Sequence, residues 1–308
     1  MLHAQESRLS PDHRASTLTA RLWRGRVAYL LVLPTFLFLA LFFYYPAWIA
    51  LSRAFTDWDG FNPPQFVGLA NFSRALSDPV MGLAARNNLL WAVTGLFVSV
   101  VPPFLVAELL ISLRSNRGQY LYRSAFVAPL VVPLVVSLLV WTYFYHNDGV
   151  VNQALQFAGL GKLARAWLVS GSTAMGALLF MGFPWVYPFN LLVFYAGLQG
   201  VSSEIYDAAK LDGALGLQRI WRIDLPLLTP QFRLITILAV IGSTQKLLEP
   251  LLMTNGGPGY STTVPILHMY KQATQFGQFG YSMALSFLLF LVTFGVTGLS
   301  NLFRRGEQ

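Results

Sequence analysis

Six long apolar stretches, at about 27–51, 87–113, 124–145, 173–198, 231–253 and 279–303, alternate with polar segments along the chain. A helix needs about 20 apolar residues to cross a bilayer core of about 30 Å. The pattern therefore predicts an all-α, polytopic membrane protein with six transmembrane helices in residues 27–303, preceded by a tail at 1–26 and followed by a short terminus at 304–308. The first stretch is too long for the apolar part of a signal peptide and is read as a retained span. Segment 52–86 carries Asp57, Asp59, Gly60, Pro63 and Pro64, which predict an ordered loop with a short surface helix. Prolines mark where the spans are irregular. Pro102-Pro103 removes two amides from the second and predicts a kink. Pro184 and Pro188 predict a break in the fourth, a feature tolerated at depth where the freed carbonyls are buried in protein or line a cavity. In the fifth, Gly242, Gln245, Lys246 and Glu249 fall at i, i+3, i+4 and i+7 and predict one polar stripe on a helix of Leu, Ile and Val.

The segment at 200–230 interrupts this apolar chain. Ser203 is placed to cap a helix, with Glu204 at the positive end of its dipole. Ala208 and Ala209 project little, so a partner's backbone can come close, and Gly213 lets the chain turn. Leu217, Ile220, Trp221 and Leu225 then recur at helical spacing beside Arg219 and Arg222, as in a helix lying at a membrane surface. Pro226 and Pro230 suit the first turn of the next helix. The reading is a helix, a glycine turn and an interfacial helix, offered to a partner between two spans.

Composition narrows the classes. Of 308 residues 55% are hydrophobic and 11% charged, with a mean hydropathy of +0.53, which excludes an ordinary soluble domain. With no cysteine there is no disulfide framework and no thiolate metal site. The net charge of +8 raises nucleic acid as a partner, but in a membrane protein basic residues collect on the cytoplasmic side. Arg8, Arg14, Arg21, Arg24, Arg26, Arg114, Arg117, Arg123, Lys210, Arg219, Arg222, Arg233, Arg304 and Arg305 fall in one set of alternate segments, 14 against the 6 of Arg53, Arg74, Arg86, Lys162, Arg165 and Lys271. Both termini and segment 200–230 are thereby predicted to be cytoplasmic, with no nucleic-acid role. The chain has no GxxxxGK[ST] phosphate loop and no nucleophile–base pair, so it is expected to be non-catalytic. His3, His13, His146 and His268 lack metal-ligand spacing and are read as solvated or interfacial. The GGPG run is placed outside and is read as a tight turn.

Segment 200–230 also resembles the EAA loop of bacterial ABC importer permeases, whose pattern is Glu-Ala-Ala, three residues, Gly, nine residues, then Ile-x-Leu-Pro. Asp207 stands in place of the Glu, and Ala208, Ala209, Gly213, Ile223, Leu225 and Pro226 match. FVGLANF at 66–72, Asn87, Arg123, Pro129, DGVVN at 148–152, AGLQ at 196–199 and TNGGPG at 254–259 are similar to the carbohydrate-type permeases, in the branch of the maltose and glycerol-phosphate permeases. The large extracellular insertion and extra N-terminal helices of the enterobacterial maltose permease are absent. The resemblance implies a type I importer permease fold in the bacterial inner (plasma) membrane. It also implies a heterodimer with a second permease and an extracytoplasmic solute-binding protein that delivers a carbohydrate or sugar phosphate. Two copies of a cytoplasmic ATPase would bind ATP and Mg, with no cofactor in this chain, and the matched loop residues would dock on that ATPase. The rival readings are a secondary transporter driven by an ion gradient and a membrane-embedded enzyme. The first commonly shows inverted repeats and intramembrane acids; here only Glu108 and Glu249 lie well inside apolar runs, and no repeat is evident.

For the substrate path, Trp185, Asn190 and Tyr195 follow the proline break of the fourth span. Spacing back from AGLQ aligns Asn190 with a sugar-contacting aromatic of the maltose permease. Spacing back from TNGGP likewise aligns Ser243 and Lys246 with sugar-contacting positions of different identity. Trp185 and Tyr195 are read either as pore lining or as lipid-facing or packing aromatics. Counting from Arg233, Lys246 lies roughly 20 Å up the fifth span, where an unpaired charge costs about 3 kcal/mol. Two readings follow: the stripe of Gly242, Gln245, Lys246 and Glu249 lines the path and binds sugar hydroxyls or an anionic group, or Lys246 pairs with Glu249 or reaches for the outer surface.

Overall fold

The computed structural model describes residues 26–302. The expectations for residues 1–25, His3 and His13 among them, and for Arg304 and Arg305 lie outside the described residues. The chain divides into two compact units, Met1–Ala50 and Leu51–Gln308. In the first, α1 (Arg26–Leu39) runs into a wider π turn at Ala40–Tyr44 shortly before Pro46, where an amide is missing from the ladder. Its large apolar side chains, from Val27 to Trp48, are exposed on every side. A helix apolar all round is one surrounded by lipid or by other protein.

The second unit begins with a two-stranded antiparallel hairpin, β1 (Thr56–Asp57) and β2 (Gln65–Phe66), with Thr56 opposite Phe66. The expected surface helix follows as α2 (Ala70–Ser77). Asn71, within FVGLANF, is buried and its Nδ2 donates to the carbonyls of Ala54 and Thr56. α3 (Pro79–Ser112) is the long axis of the unit. Asp78 caps it, accepting from the Val80 amide, and Pro79 occupies its first turn, so it starts eight residues before the expected Asn87. It passes through Pro102 and Pro103 as one helix.

Three expected spans are broken. The third is α4 (Asn116–Val127), a 3₁₀ turn at Ala128–Val131 and α5 (Leu134–Phe144), bent by 96°. Pro129 and Pro133 each remove an amide, and Val132, preceding a proline, is extended at ψ 122. α6 (Val150–Phe157) belongs to the following loop, which is stapled by Asn152. That buried side chain donates to the carbonyls of Asn147 and Arg165 and accepts from Trp167 Nε1. The fourth span is α7 (Ala174–Phe180) and α8 (Pro188–Gln199), interrupted at the expected prolines. The polar segment at 200–230 gives α9 (Ser203–Leu211) and α10 (Leu217–Leu227), the latter widened into a π turn at Ile220–Asp224. The fifth span is α11 (Thr229–Thr244) and α12 (Leu248–Thr254). α13 (Pro265–Thr274) and α14 (Phe279–Leu302) complete the chain.

α3 packs along α8 and α11, and α14 packs against α13 and α11. The two larger apolar clusters are Trp91, Leu138, Met175, Leu178 and Leu267 toward one end, and Phe104, Phe194, Leu198, Leu228 and Ile235 toward the other. The motif glycines belong to this packing. A Cβ on Gly197, within AGLQ, would lie 2.5 Å from a Leu228 methyl, so a side chain there would force Leu228 and Gln231 at the start of α11 to shift.

Candidate functional site

Between the two clusters lies a cavity of about 370 Å³, walled by α3, α7, α8 and α11. α3 supplies Trp91, Thr94, Val98 and Ser99; Tyr187 and Asn190 flank the start of α8; Ile235, Gly242 and Ser243 come from α11, and Lys246 follows it. Of the residues expected along the substrate path, Asn190, Ser243 and Lys246 meet here.

Asn190 has a specific reason to be there. Pro103 has no amide to give to the carbonyl of Ser99 one turn earlier, and Asn190 Nδ2 donates to that carbonyl at 2.8 Å. The proline pair thus yields an acceptor on the cavity wall, satisfied by a side chain from the facing helix. Lys246 sits at the rim. Gln245 ends α11 and a new helix starts at Leu248, so Gly242, Gln245, Lys246 and Glu249 do not form the continuous stripe expected. Pro250 is the cause: it cannot donate to the carbonyl of Lys246, and the ladder restarts with Leu251 bonding to Leu247. Lys246 Nζ donates to Glu249 Oε1 at 2.5 Å and stands 5.5 Å from the Trp91 ring centroid. Glu249 is buried off the lining, and Gln245 is exposed elsewhere. The ion-pair reading of Lys246 and Glu249 therefore holds, with Lys246 still on the cavity. Trp91 Nε1 is buried with no hydrogen-bond partner among the described residues.

Tyr195 is not on the cavity. It is 3% exposed in the second cluster, its hydroxyl donating to Gln119 and accepting from Gln199, with Arg123 over its ring at 5.3 Å. Trp185 packs the break itself: its ring meets Phe180 and Phe183 edge-on at 5.4 and 5.2 Å, and its Nε1 donates to Phe180 O. These bonds hold it at φ 59, a conformation costly for so bulky a side chain. Sequence reasoning missed the α3 face. Trp91, Thr94, Val98 and Ser99 recur at helical spacing, and the small hydroxyls among them, in an apolar helix, were the available signal.

The second feature is α9 and α10. Ser202, not Ser203, is the residue before α9, and its side chain makes no cap bond. Gly213 turns the chain at φ 74, and Gly216 repeats the device at φ 55. Ala208 is exposed, but Ala209 is 5% exposed, its carbonyl accepting from the Ala214 amide, so its small size serves this chain's own turn. Of the two small residues expected to admit a partner's backbone, Ala208 is on the surface and Ala209 is covered by this chain. Asp207 pairs with Lys210 at 2.8 Å on the surface. Ile223 and Leu225 are half-buried, Leu225 against the second cluster. Pro226 lies inside α10 after the π turn, and only Pro230 opens α11. Beside exposed polar residues such as Glu204, Gln218 and Arg222, the segment of α9, α10 and their turn leaves large apolar side chains exposed, among them Leu211 89%, Leu215 61%, Leu217 74% and Trp221 70%.

On the opposite end of α3, Asn87 Nδ2 donates to the carbonyls of Tyr260 and Thr263, fixing the loop that contains TNGGPG. That run is a turn, with Asn255 and Gly256 at φ 49 and 78. His268 is buried rather than solvated: its Nε2 lies 2.8 Å from Asp78 Oδ2, which also accepts from the Tyr281 hydroxyl. His146 is exposed as expected.

No family model matches the chain. It is 29% identical over 285 residues to the probable ABC transporter permease protein YurN of Bacillus subtilis (strain 168), covering 92% of this chain and 97% of that one. With the diacetylchitobiose uptake system permease protein NgcF of Streptomyces coelicolor it shares 31% identity over 270 residues, 83% of this chain and 76% of the relative. The fold matches a crystal structure of a bacterial ABC transporter involved in the import of the acidic polysaccharide alginate, with a TM-score of 0.83 at 21% identity over 94% of this chain and 99% of that one. At 31% identity to a permease of which it covers 76%, the chain belongs to the ABC transporter permease family.

Proposed function

We propose that this chain is a permease subunit of an ATP-driven importer for a carbohydrate, with six spans, cytoplasmic termini and the cavity between α3, α8 and α11 as its half of the translocation path. The observation that carries the substrate class is the character of that cavity. It is largely apolar, has an aromatic wall at Trp91 and Tyr187, and offers a few fixed polar groups at Asn190, Ser243 and Lys246, which is how sugar sites are commonly built. Lys246 already answers Glu249, so an uncharged, hydroxyl-rich solute is favoured over a phosphorylated one. The diacetylchitobiose permease, named for a sugar uptake system, supports the carbohydrate class.

In this reading the exposed Leu211, Leu215, Leu217 and Trp221 form the surface that a cytoplasmic ATPase covers, with Asp207 and Lys210 at its margin. A second permease completes the path, and a solute-binding protein serves its outer face. The chain itself holds no nucleotide. The test is reconstitution in vesicles with the partner permease, the ATPase and the binding protein, following radiolabelled oligosaccharide. Uptake should require all partners and ATP. Uptake by this chain alone on an ion gradient would instead identify a secondary transporter.

A further inference from the structure

A single side chain ties the interfacial helix to the wall of the cavity. Arg219, on α10, donates from Nη2 to Glu108 Oε2 on α3 and from Nε to Asp224 Oδ2 at 2.8 Å. The Tyr206 ring on α9 lies 5.4 Å from the guanidinium carbon. Three elements therefore converge on one guanidinium. Glu108 and Asp224 are 4% and 0% exposed. Their other oxygens, Glu108 Oε1 and Asp224 Oδ1, and the Tyr206 hydroxyl, are buried without a hydrogen-bond partner among the described residues. Two buried carboxylates thus depend on one cation.

None of the three charged residues is among the spaced positions of the EAA-type pattern, which runs through Asp207, Ala208, Ala209, Gly213, Ile223, Leu225 and Pro226. Their arrangement has a mechanical consequence. Separating a buried carboxylate from the one cation that pairs with it among the described residues is strongly unfavourable, so α10 cannot slide along α3 without carrying Arg219 and Glu108 together. α3 is one helix from Pro79 to Ser112, and at 1.5 Å per residue Glu108 lies about 14 Å from Ser99 and about 26 Å from Trp91, both on the cavity wall. A displacement at α10 is delivered along one continuous helix, through Pro102 and Pro103, to the residues that line the cavity.

We propose that Arg219 is the positioning residue that locks α10 to α3 through Glu108 and Asp224, so that movement of the ATPase-facing segment and movement of the cavity wall are one event. The proposal rests on the importer reading above. Its test is the ratio of solute imported to ATP hydrolysed in the fully reconstituted importer, for wild type, Arg219→Gln, Arg219→Lys and the neutral triple variant Glu108→Gln/Arg219→Gln/Asp224→Asn. The triple variant strands no buried charge, so it is expected to insert and assemble even where Arg219→Gln does not. In assembled complexes both should hydrolyse ATP while the ratio falls roughly fivefold or more, the low end of coupling between sites. Arg219→Lys, which keeps the charge, should retain a higher ratio than Arg219→Gln. A wild-type ratio in the triple variant, or transport and hydrolysis falling together at an unchanged ratio, would overturn the lock and leave a structural role. Failure of the wild type to import on ATP would be visible without any variant and would remove the functional reading itself.

Discussion

At the scale of single residues, Asn190, Lys246 and Asp78 each do a task that follows from a defined neighbour. Asn190 replaces the amide that Pro103 lacks, so Asn190→Leu should leave the Ser99 carbonyl unpaired and cost about 1–3 kcal/mol; thermal unfolding in detergent measures this, and Asn190→Gln should recover part of it. Lys246→Met strands the buried Glu249 carboxylate, which predicts a lower melting temperature for a reason unrelated to transport. Adding Glu249→Gln should restore stability, while uptake stays well below wild type because the cavity has lost Lys246; wild-type uptake in the double variant would confine the pair to a structural role. Burial raises the Asp78 pKa, but hydrogen bonds from Tyr281, His268 and the Val80 amide together hold it below the usual carboxylate range. A depressed folded-state pKa contributes stability that is present above about pH 4 and is lost as pH falls through the depressed value. The α3 start should therefore hold at neutral pH and loosen only in strong acid, and Asp78→Asn should flatten that acid limb of a melting-temperature profile.

At the scale of elements, the prolines explain most of the departures from six straight spans. Pro129, Pro133 and Pro250 break helices, whereas Pro102 and Pro103 do not, although all remove amides. The difference lies in what surrounds them: the Ser99 carbonyl finds Asn190, and α3 is packed on both sides by α8 and α11. Those partners are remote in sequence, so no local rule distinguished the two cases. The turn between α9 and α10 was legible, because Gly213 does adopt positive φ. Its Cβ position is open, so Gly213→Ala is strained by conformation alone, at about 1–2 kcal/mol. That variant should insert but associate more weakly with the ATPase in co-purification. Ala209→Trp should act differently, disrupting the buried packing of the turn and lowering stability as well as association; unchanged thermal stability in that variant would contradict the burial of Ala209.

At the scale of the whole molecule, orientation is the open quantity that a simple measurement settles. The chain has no cysteine, so single cysteines can be introduced without background labelling. Cysteine at exposed Phe61 or Leu76 should react with a membrane-impermeant maleimide from outside intact cells, and cysteine at exposed Leu211 or Gln218 only after the membrane is opened. The reverse pattern would invert the topology drawn from the basic residues.

The sequence by itself determined the helical membrane class, the position of the polar segment at 200–230 and the break at Pro184 and Pro188, because apolar length, charge and missing amides are local properties. Its motif residues were visible too, but their work was not: Asn71, Asn87 and Asn152 turn out to hold loop carbonyls that lie beyond their own helices. The tertiary structure alone decided that Lys246 shares a cavity wall with Trp91, that Tyr195 and Ala209 are buried, and that Arg219 joins Glu108 across 111 positions of sequence. The reason is the same in each case. Burial and ion pairing depend on which side chains from distant segments occupy the same few ångströms, and that is set by how helices pack rather than by their own periodicity.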